Sequence, residues 1–373
     1  MTKMRDLNKF KGCLIGGAVG DALGYAVEFL YASSIFNEYG ENGITEYELR
    51  NGVAEISDDT QMTLFTATGL LLGTTRGMTR GIMGNYTDYI AYSYHDWYRT
   101  QTEKYPLLGD FHHSWLVNFP QMFSRRAPGN TCLSALASGS NGTIEKPINN
   151  SKGCGGIMRV APIGIYFAGK GYSEKEIDMI GAKSAALTHG HELGYLPAAM
   201  LIHILQRISE RGDTIAEAVE DSISAMPTLF PNAKHMQQLI ELVQKAVRLS
   251  QEDLDDLDAI RQLGEGWVAE ETLAIAVYCA LKYADDFEKG IIAAVNHDGD
   301  SDSTGAVAGN ILGTALGFDA IPQKFIDKLE LKDIILEIAE DLYHDCKISE
   351  YGQWDYLWAS KYVEMTYMKE TVE

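Results

Sequence analysis

Two short stretches of this chain concentrate oxygen ligands. Ser57-Asp58-Asp59-Thr60 and Asp298-Gly299-Asp300-Ser301-Asp302-Ser303 each place carboxylates and hydroxyls immediately before a long apolar segment. One Asp or Ser in such a position caps a helix, because its side-chain oxygen takes up an orphan backbone N–H and suits the helix dipole. Capping uses one or two residues, whereas here two carboxylates are adjacent in the first stretch and three alternate in the second. Crowded like charges cost stability unless cations neutralise them. Ligands that are all oxygen, with no His or Cys, suit hard ions such as Mg²⁺, with Mn²⁺ as the alternative. The two stretches read either as caps or as metal ligands that the fold must bring together.

Three further features invite chemistry. The run Ser151-Lys152-Gly153-Cys154-Gly155-Gly156-Ile157-Met158-Arg159 is a glycine-rich turn that can open a helix and offer backbone N–H groups to an anion, with Lys152 or Arg159 assisting. It can equally be a plain structural turn. Thr188-His189-Gly190-His191 ends one helical pattern and precedes another, where a histidine is either a cap or a functional group. Glu28 stands among Val27, Phe29 and Leu30, and a carboxylate buried in such company must be paired, ligating or catalytic.

Other motifs fail on spacing. Gly16-Gly17-Ala18-Val19-Gly20 is not a dinucleotide fingerprint, and no phosphate-binding GxxxxGK[ST] or nucleophile-elbow GxSxG occurs. His191-Glu192-Leu193-Gly194-Tyr195 ends in Tyr where HExxH needs its second zinc ligand. Counted from Asp298, an EF-hand would need Gly at the position of Ser303 and Glu at that of Gly309.

The elements that must position these residues are helices. Residues 57–72 begin with capping types and then run apolar, and helical patterns recur at roughly 80–99, 174–188, 195–209, 234–250, 268–283, 287–295, 302–316, 333–343 and 355–368. Residues 44–49 are the best candidate for an extended segment. Gly16, Gly20 and Gly24 recur every four residues, as do Gly305, Gly309, Gly313 and Gly317, so one face of each helix is bare backbone that a neighbour can approach closely. The acidic segment 252–258 reads as a solvated turn. With no linker and no internal repeat, the expectation is an all-α fold: a compact single-domain helix bundle over residues 1–373.

Composition narrows the function. Apolar residues make up 46% and charged residues 22% of 373, which fits a folded globule. The formal charge of −21 and the absence of a basic run argue against nonspecific nucleic-acid binding. Five scattered cysteines without a CxxC pair fit a reducing compartment. Lys3, Arg5, Lys9 and Lys11 precede an apolar stretch at 13–19, but Asp21 interrupts it, so a signal peptide is not expected. No uncharged apolar run is long enough to span a membrane. The expected location is cytoplasmic; nothing in the residues specifies oligomeric state.

Taken in order, GCLIGGAVGDALGYAVEF, SDDTQM, GCGGIMRVAPIG, ALTHGHELGY, GWVAEETLAIAVYCAL and NHDGDSDSTGAVAGNILG resemble the ADP-ribosylglycohydrolase family across about residues 10–320. The resemblance implies a compact orthogonal bundle of helices around a centre of two Mg²⁺ (or Mn²⁺) ions. It implies metal ligands at Ser57, Asp58, Asp59, Asp300, Asp302 and Ser303, and a diphosphate-wrapping loop at Gly153, Cys154, Gly155 and Gly156. It implies a substrate contact at His189 and, at Glu28, the acidic residue tied to acid/base work or to closing the site. Asp59 and Asp302 count with Glu28 as catalytic. Cys154 departs from relatives that carry Asn, and Asp298 adds a carboxylate where Gly is frequent.

The implied activity is metal-dependent hydrolysis at C1″ of an ADP-ribosyl group, its substrate an ADP-ribosylated protein, arginine-linked first, or an ADP-ribose derivative. Serine, nucleic-acid base and O-acetyl-ADP-ribose linkages stay open. So do a module that binds ADP-ribose without turnover and a purely structural all-α protein whose Asp clusters are caps.

Overall fold

The computed structural model describes residues 5–82, 84–109, 111–139 and 141–369, so Lys3 lies outside the described residues. Its centre is the first helix, Leu7–Gly24, capped by the Asp6 side chain and buried along nearly its whole length from Phe10 onward. A helix apolar all round belongs in the middle of a protein rather than on its surface. It packs most extensively on Ser301–Leu316, an equally buried helix. The glycine spacing explains the contact. A β-carbon added at Gly12, Gly16, Gly20 or Gly24 would overlap the backbone oxygen of Gly313, Gly309, Gly305 or Ser301 in turn, so the two helices run antiparallel with backbones touching.

The long helix Asp58–Arg80 ends at Gly81, which sits at φ +69°, and is buried without a break through its first sixteen residues. Glu192–Gln206 and Ala269–Lys282 complete the interior. One hydrophobic core draws on residues from Phe10 to Tyr362, and the all-α class holds. Arg5 and Lys11 are structural: Arg5 donates to the Leu342 carbonyl at 2.7 Å and Lys11 pairs with Glu340 at 2.6 Å. All five cysteines are free, and among the described residues no helix is long and apolar enough to cross a membrane.

Several expectations need correction. Residues 44–49 join no strand; the described residues hold only isolated bridges, Arg50 with Val53, Ala54 with Leu329 and Gly153 with Val268. The helix expected from 80 begins at Tyr86, and the one expected to 368 stops at Tyr362. Residues 252–258 are not wholly a turn, because Asp255 caps a helix at Asp256–Leu263 and Asp256 pairs with Lys282 at 2.8 Å. Helices at Ala32–Tyr39, Asn130–Ala137, Ala161–Tyr166, Ile215–Leu229 and Gln323–Lys328 were not anticipated.

Candidate active site

The glycine contact delivers the far end of the first helix to the start of Ser301–Leu316, and Asp58–Arg80 begins beside them. At this junction the two acidic stretches meet. Ser303 Oγ donates to Asp59 Oδ2 at 2.9 Å, and the Ser303 N–H reaches Asp302 Oδ1 at 2.8 Å and Asp300 Oδ1 at 3.3 Å. Carboxylate oxygens of Glu28, Asp300 and Asp302 all lie within 4.8 Å of one another. Glu28, Asp58, Asp59, Asp300, Asp302 and Ser303 share one cavity of about 470 Å³ with Gly153, Cys154, Gly155 and His189.

Capping and site-building divide among these residues. Ser57 is a cap, its hydroxyl accepting the Asp59 N–H at 3.2 Å, and so is Asp300, which accepts from Ser303. Asp58, Asp59 and Asp302 line the cavity beyond what capping uses. Of the expected site residues, Ser57 and Gly156 do not line it; Gly156 packs instead against the Gly194 carbonyl and Ala185.

The charges are buried and crowded. Burial, then repulsion from Asp302, holds Asp58 and Asp59 well above the usual carboxylate range; burial and Asp302 do the same to Asp300. Glu28 is pushed up to about 11 by burial and by the Asp302, Asp300, Asp58 and Asp21 charges. Its Oε2 is buried with no hydrogen-bond partner. Carboxylates in this condition want a proton or a cation. An all-oxygen donor set with an orphaned buried oxygen fits a hard divalent ion.

Asp21, which sequence reasoning passed over as a mere interruption, helps to build the site. It is fully buried, accepts the Ser57 N–H at 3.0 Å and the Thr60 N–H at 3.0 Å, and takes the Thr60 hydroxyl as well. It thus ties the first helix to the start of Asp58–Arg80. Burial and the Asp302 charge push it up to about 7. The available signal was a lone carboxylate inside a glycine-striped apolar helix.

Asp298 also finds a role. It neither lines the cavity nor points freely to water: Oδ1 accepts the Ala32 N–H at 2.8 Å and Oδ2 pairs with Arg261 at 3.0 Å. This fastens the end of the loop that carries Glu28.

The glycine-rich loop differs from the expected helix opening. It makes a single 3₁₀ turn, Cys154–Gly156, and the next helix starts only at Ala161. The Gly153 N–H donates to Ser151 Oγ at 3.3 Å and the Cys154 N–H to the Trp267 carbonyl at 3.2 Å, so two of the four amides are already engaged. Cys154 Sγ donates to Asp300 Oδ2 at 2.8 Å. Neither proposed assistant faces the cavity. Arg159 is wholly buried, bonded to Thr188 Oγ1 at 2.7 Å and the Ser184 carbonyl at 3.2 Å, with the Tyr94 ring 4.2 Å away. Lys152 is paired with Glu270.

Arg159 sets up His189 from behind. Thr188 Oγ1 accepts from Arg159 and is hydrogen-bonded to His189 Nδ1 at 2.8 Å, which turns Nε2 toward Gly153. Burial, and next the Arg159 charge, lower this histidine to about 3, so it is neutral across the physiological range. At the rim, Phe29 stacks on Trp267 with ring centroids 5.9 Å apart and planes 20° apart.

Comparison with known proteins gives the family and the fold. The sequence profile of the family described as ADP-ribosylglycohydrolase matches residues 2–351. The chain is 25% identical to the ADP-ribosyl-[dinitrogen reductase] glycohydrolase of Rhodospirillum rubrum, covering 86% of this chain and 90% of that protein. It is 24% identical to the ADP-ribosylarginine hydrolase Tri1 of Pseudomonas putida (strain GB-1), over 92% of this chain and 80% of the relative. Alignments with the cattle, mouse and human proteins named ADP-ribosylhydrolase ARH3 span 58%, 53% and 54% of those proteins. A solved structure titled "ADP-ribosylglycohydrolase-related protein complex" shares the fold with a TM-score of 0.59 at 22% identity, covering 91% of this chain and 98% of its own.

Proposed function

Since the chain belongs to the ADP-ribosylglycohydrolase family, a family of hydrolases, we propose that it removes ADP-ribose from a modified protein, with arginine as the first candidate linkage. The arginine assignment leans on the name of the Pseudomonas putida relative, and the protein target on that of the Rhodospirillum rubrum relative. The observation that carries the reading is the convergence of Glu28, Asp300 and Asp302, with Asp58 and Asp59 lining the same cavity.

In this reading Asp58, Asp59, Asp300, Asp302 and Ser303 would hold two divalent ions, Mg²⁺ or Mn²⁺, with Ser57 capping the helix behind them. Such ions supply positive charge against ribose and water oxygens as the reaction proceeds. Cleavage breaks the bond from C1″ to the guanidine nitrogen and forms one from C1″ to a water oxygen, through an oxocarbenium-like transition state. Once the neighbouring negative charge is offset, Glu28 would ionise, and its Oε2, the oxygen with no protein partner, would take a proton from that water and return it to the departing nitrogen. Neutral His189 meets the substrate through Nε2. Gly153, Cys154 and Gly155 form the wall along which the diphosphate lies, with Gly156 packed behind them.

The test is ADP-ribose release from arginine-ADP-ribosylated protein in Mg²⁺ or Mn²⁺, with and without EDTA. Activity is expected to vanish in the chelator and in Asp302→Ala. Undiminished release in either overturns the scheme, and a serine-linked substrate assayed alongside decides the linkage.

A further inference from the structure

An ADP-ribosyl group brings two phosphate charges to a protein of net charge −21, into a cavity lined by five carboxylates. A cation must offset them locally. Arg159 and Lys152 are both committed to protein partners, as described above. Among the side chains lining the cavity, Arg125 is the only arginine or lysine. It is exposed, and among the described residues no carboxylate pairs with it.

Its backbone is fixed from both sides. The Ser124 carbonyl accepts Gln61 Nε2 at 3.0 Å, and the Arg126 carbonyl accepts the Asp58 N–H at 3.2 Å. Both bonds run to the beginning of Asp58–Arg80, the helix that carries two of the site carboxylates. Arg126 itself is buried and fully used: Nη2 reaches Glu330 Oε1 at 3.0 Å and Glu55 Oε1 at 3.1 Å, and Nη1 the Ile56 carbonyl at 3.0 Å. Of two consecutive arginines, one is an anchor and the other is held at the rim with its guanidinium free. Arg is the side chain whose planar fork matches phosphate oxygens two at a time.

We propose that Arg125 is the residue that binds the diphosphate of the substrate, giving this chain its preference for a phosphorylated ligand. The assignment rests on the ADP-ribosyl reading of the cavity. It places the cation on the loop before Asn130–Ala137, in the same cavity as the glycine turn, rather than within that turn.

Calorimetric titration of the full-length protein in Mg²⁺, with ADP-ribose and with adenosine as separate probes, tests it. Arg125→Gln is expected to weaken ADP-ribose binding about tenfold, as loss of a charge-assisted pair does, while adenosine binding stays as in wild type. Arg125→Lys is expected to fall between, since it keeps the charge and loses the fork. In turnover, KM rises and kcat is retained, because the contact is made equally in ground and transition states. Wild-type affinity for ADP-ribose in Arg125→Gln overturns the proposal, as does equal weakening for both probes, which would mark a change of shape rather than of charge. A wild-type protein that binds adenosine but not ADP-ribose, or neither, overturns the reading of the cavity itself.

Discussion

Ser303 Oγ and Asp59 Oδ2 are 2.9 Å apart in space and 244 positions apart in sequence. Through this bond the start of one buried helix is joined to the start of another, and two stretches that each look like ordinary caps become one cluster. The first helix holds the joint from one side: its glycine face lets the Ser301 helix close against it, and its Asp21 takes the Ser57 and Thr60 amides.

Removing the hydroxyl tests the joint. Ser303→Ala leaves Asp59 without its donor and takes one oxygen from the proposed ion site. We expect Mg²⁺ and Mn²⁺ affinity to fall by roughly tenfold, in line with losses seen when supporting groups around a metal are removed. Titration calorimetry with the ions alone reads this directly, and unaltered affinity would show that Ser303 serves the apo fold only.

The glycine stripe makes a sharper prediction about stability. In Gly20→Ala the new methyl would meet the Gly305 carbonyl, and neither group is a side-chain tip that can swing away. Overpacking of this kind costs about 1–3 kcal/mol or more. Urea denaturation should show a midpoint well below wild type. A control at Gly52, where a β-carbon meets nothing within 4 Å, suffers only the strain of φ +85°. Equal stability of Gly20→Ala and wild type would mean that the helices are not pressed together.

Residue type and spacing went a long way toward this site, and where they failed the reasons are physical. Asp58, Asp59, Asp300 and Asp302 were conspicuous because like charges do not crowd without cause. Asp21 was not, because its role is set by the Ser57 and Thr60 amides, which come into reach only when the helices pack. Arg159 looked like an anion binder beside a glycine loop, yet its direction is fixed by Thr188 and Tyr94, remote in sequence. The helix Ile215–Leu229 was missed although Thr214 and Glu217 form a capping box, a signal that was present and overlooked. Residues 44–49 were the best candidate for an extended segment but join no strand in a protein whose interior is helical.

Asp21→Asn would replace an acceptor that faces donors with a group that is itself half donor. One of the amides of Ser57 and Thr60 would lose its partner in a dry site, at a cost of about 1–3 kcal/mol. We expect a lower melting temperature together with weakened ion binding. Ion binding distinguishes this from a general loss of stability, because Thr66→Ser, a conservative change deeper in the helix Asp58–Arg80, should leave it intact. An Asp21→Asn protein that binds Mg²⁺ as wild type does would reduce Asp21 to a packing residue.

The metal-free protein should become less stable as pH rises. Asp21 is held up to about 7 and Glu28 up to about 11, against ordinary values of roughly 3.9 and 4.3 in an unfolded chain. Within that interval the folded state carries more protons than the unfolded one, so stability is fullest below pH ~4 for these groups and declines as each is forced to ionise. Melting in EDTA should therefore fall from mildly acid pH through pH 7 to 8. Adding Mg²⁺ should restore it, and by more at pH 8 than at pH 6, because an ion replaces the protons. A flat EDTA profile would contradict the crowding of charge described above.

Glu28→Gln separates the two roles that its position allows. The residue sits next to the exposed ring of Phe29, yet its own carboxyl is buried, with Oε2 unpartnered and the Asp300 and Asp302 oxygens nearby. Glutamine keeps the shape and can still lend an oxygen, but it cannot accept and return a proton. If Glu28 moves the proton, the variant binds ADP-ribose about as tightly as wild type while kcat drops by roughly 10²–10⁴, the usual worth of a positioned acid or base. If Glu28 only supports an ion, ion affinity falls and kcat recovers at saturating Mg²⁺. Measuring kcat across a Mg²⁺ series therefore gives a different curve for each role, and wild-type turnover throughout would remove Glu28 from the chemistry.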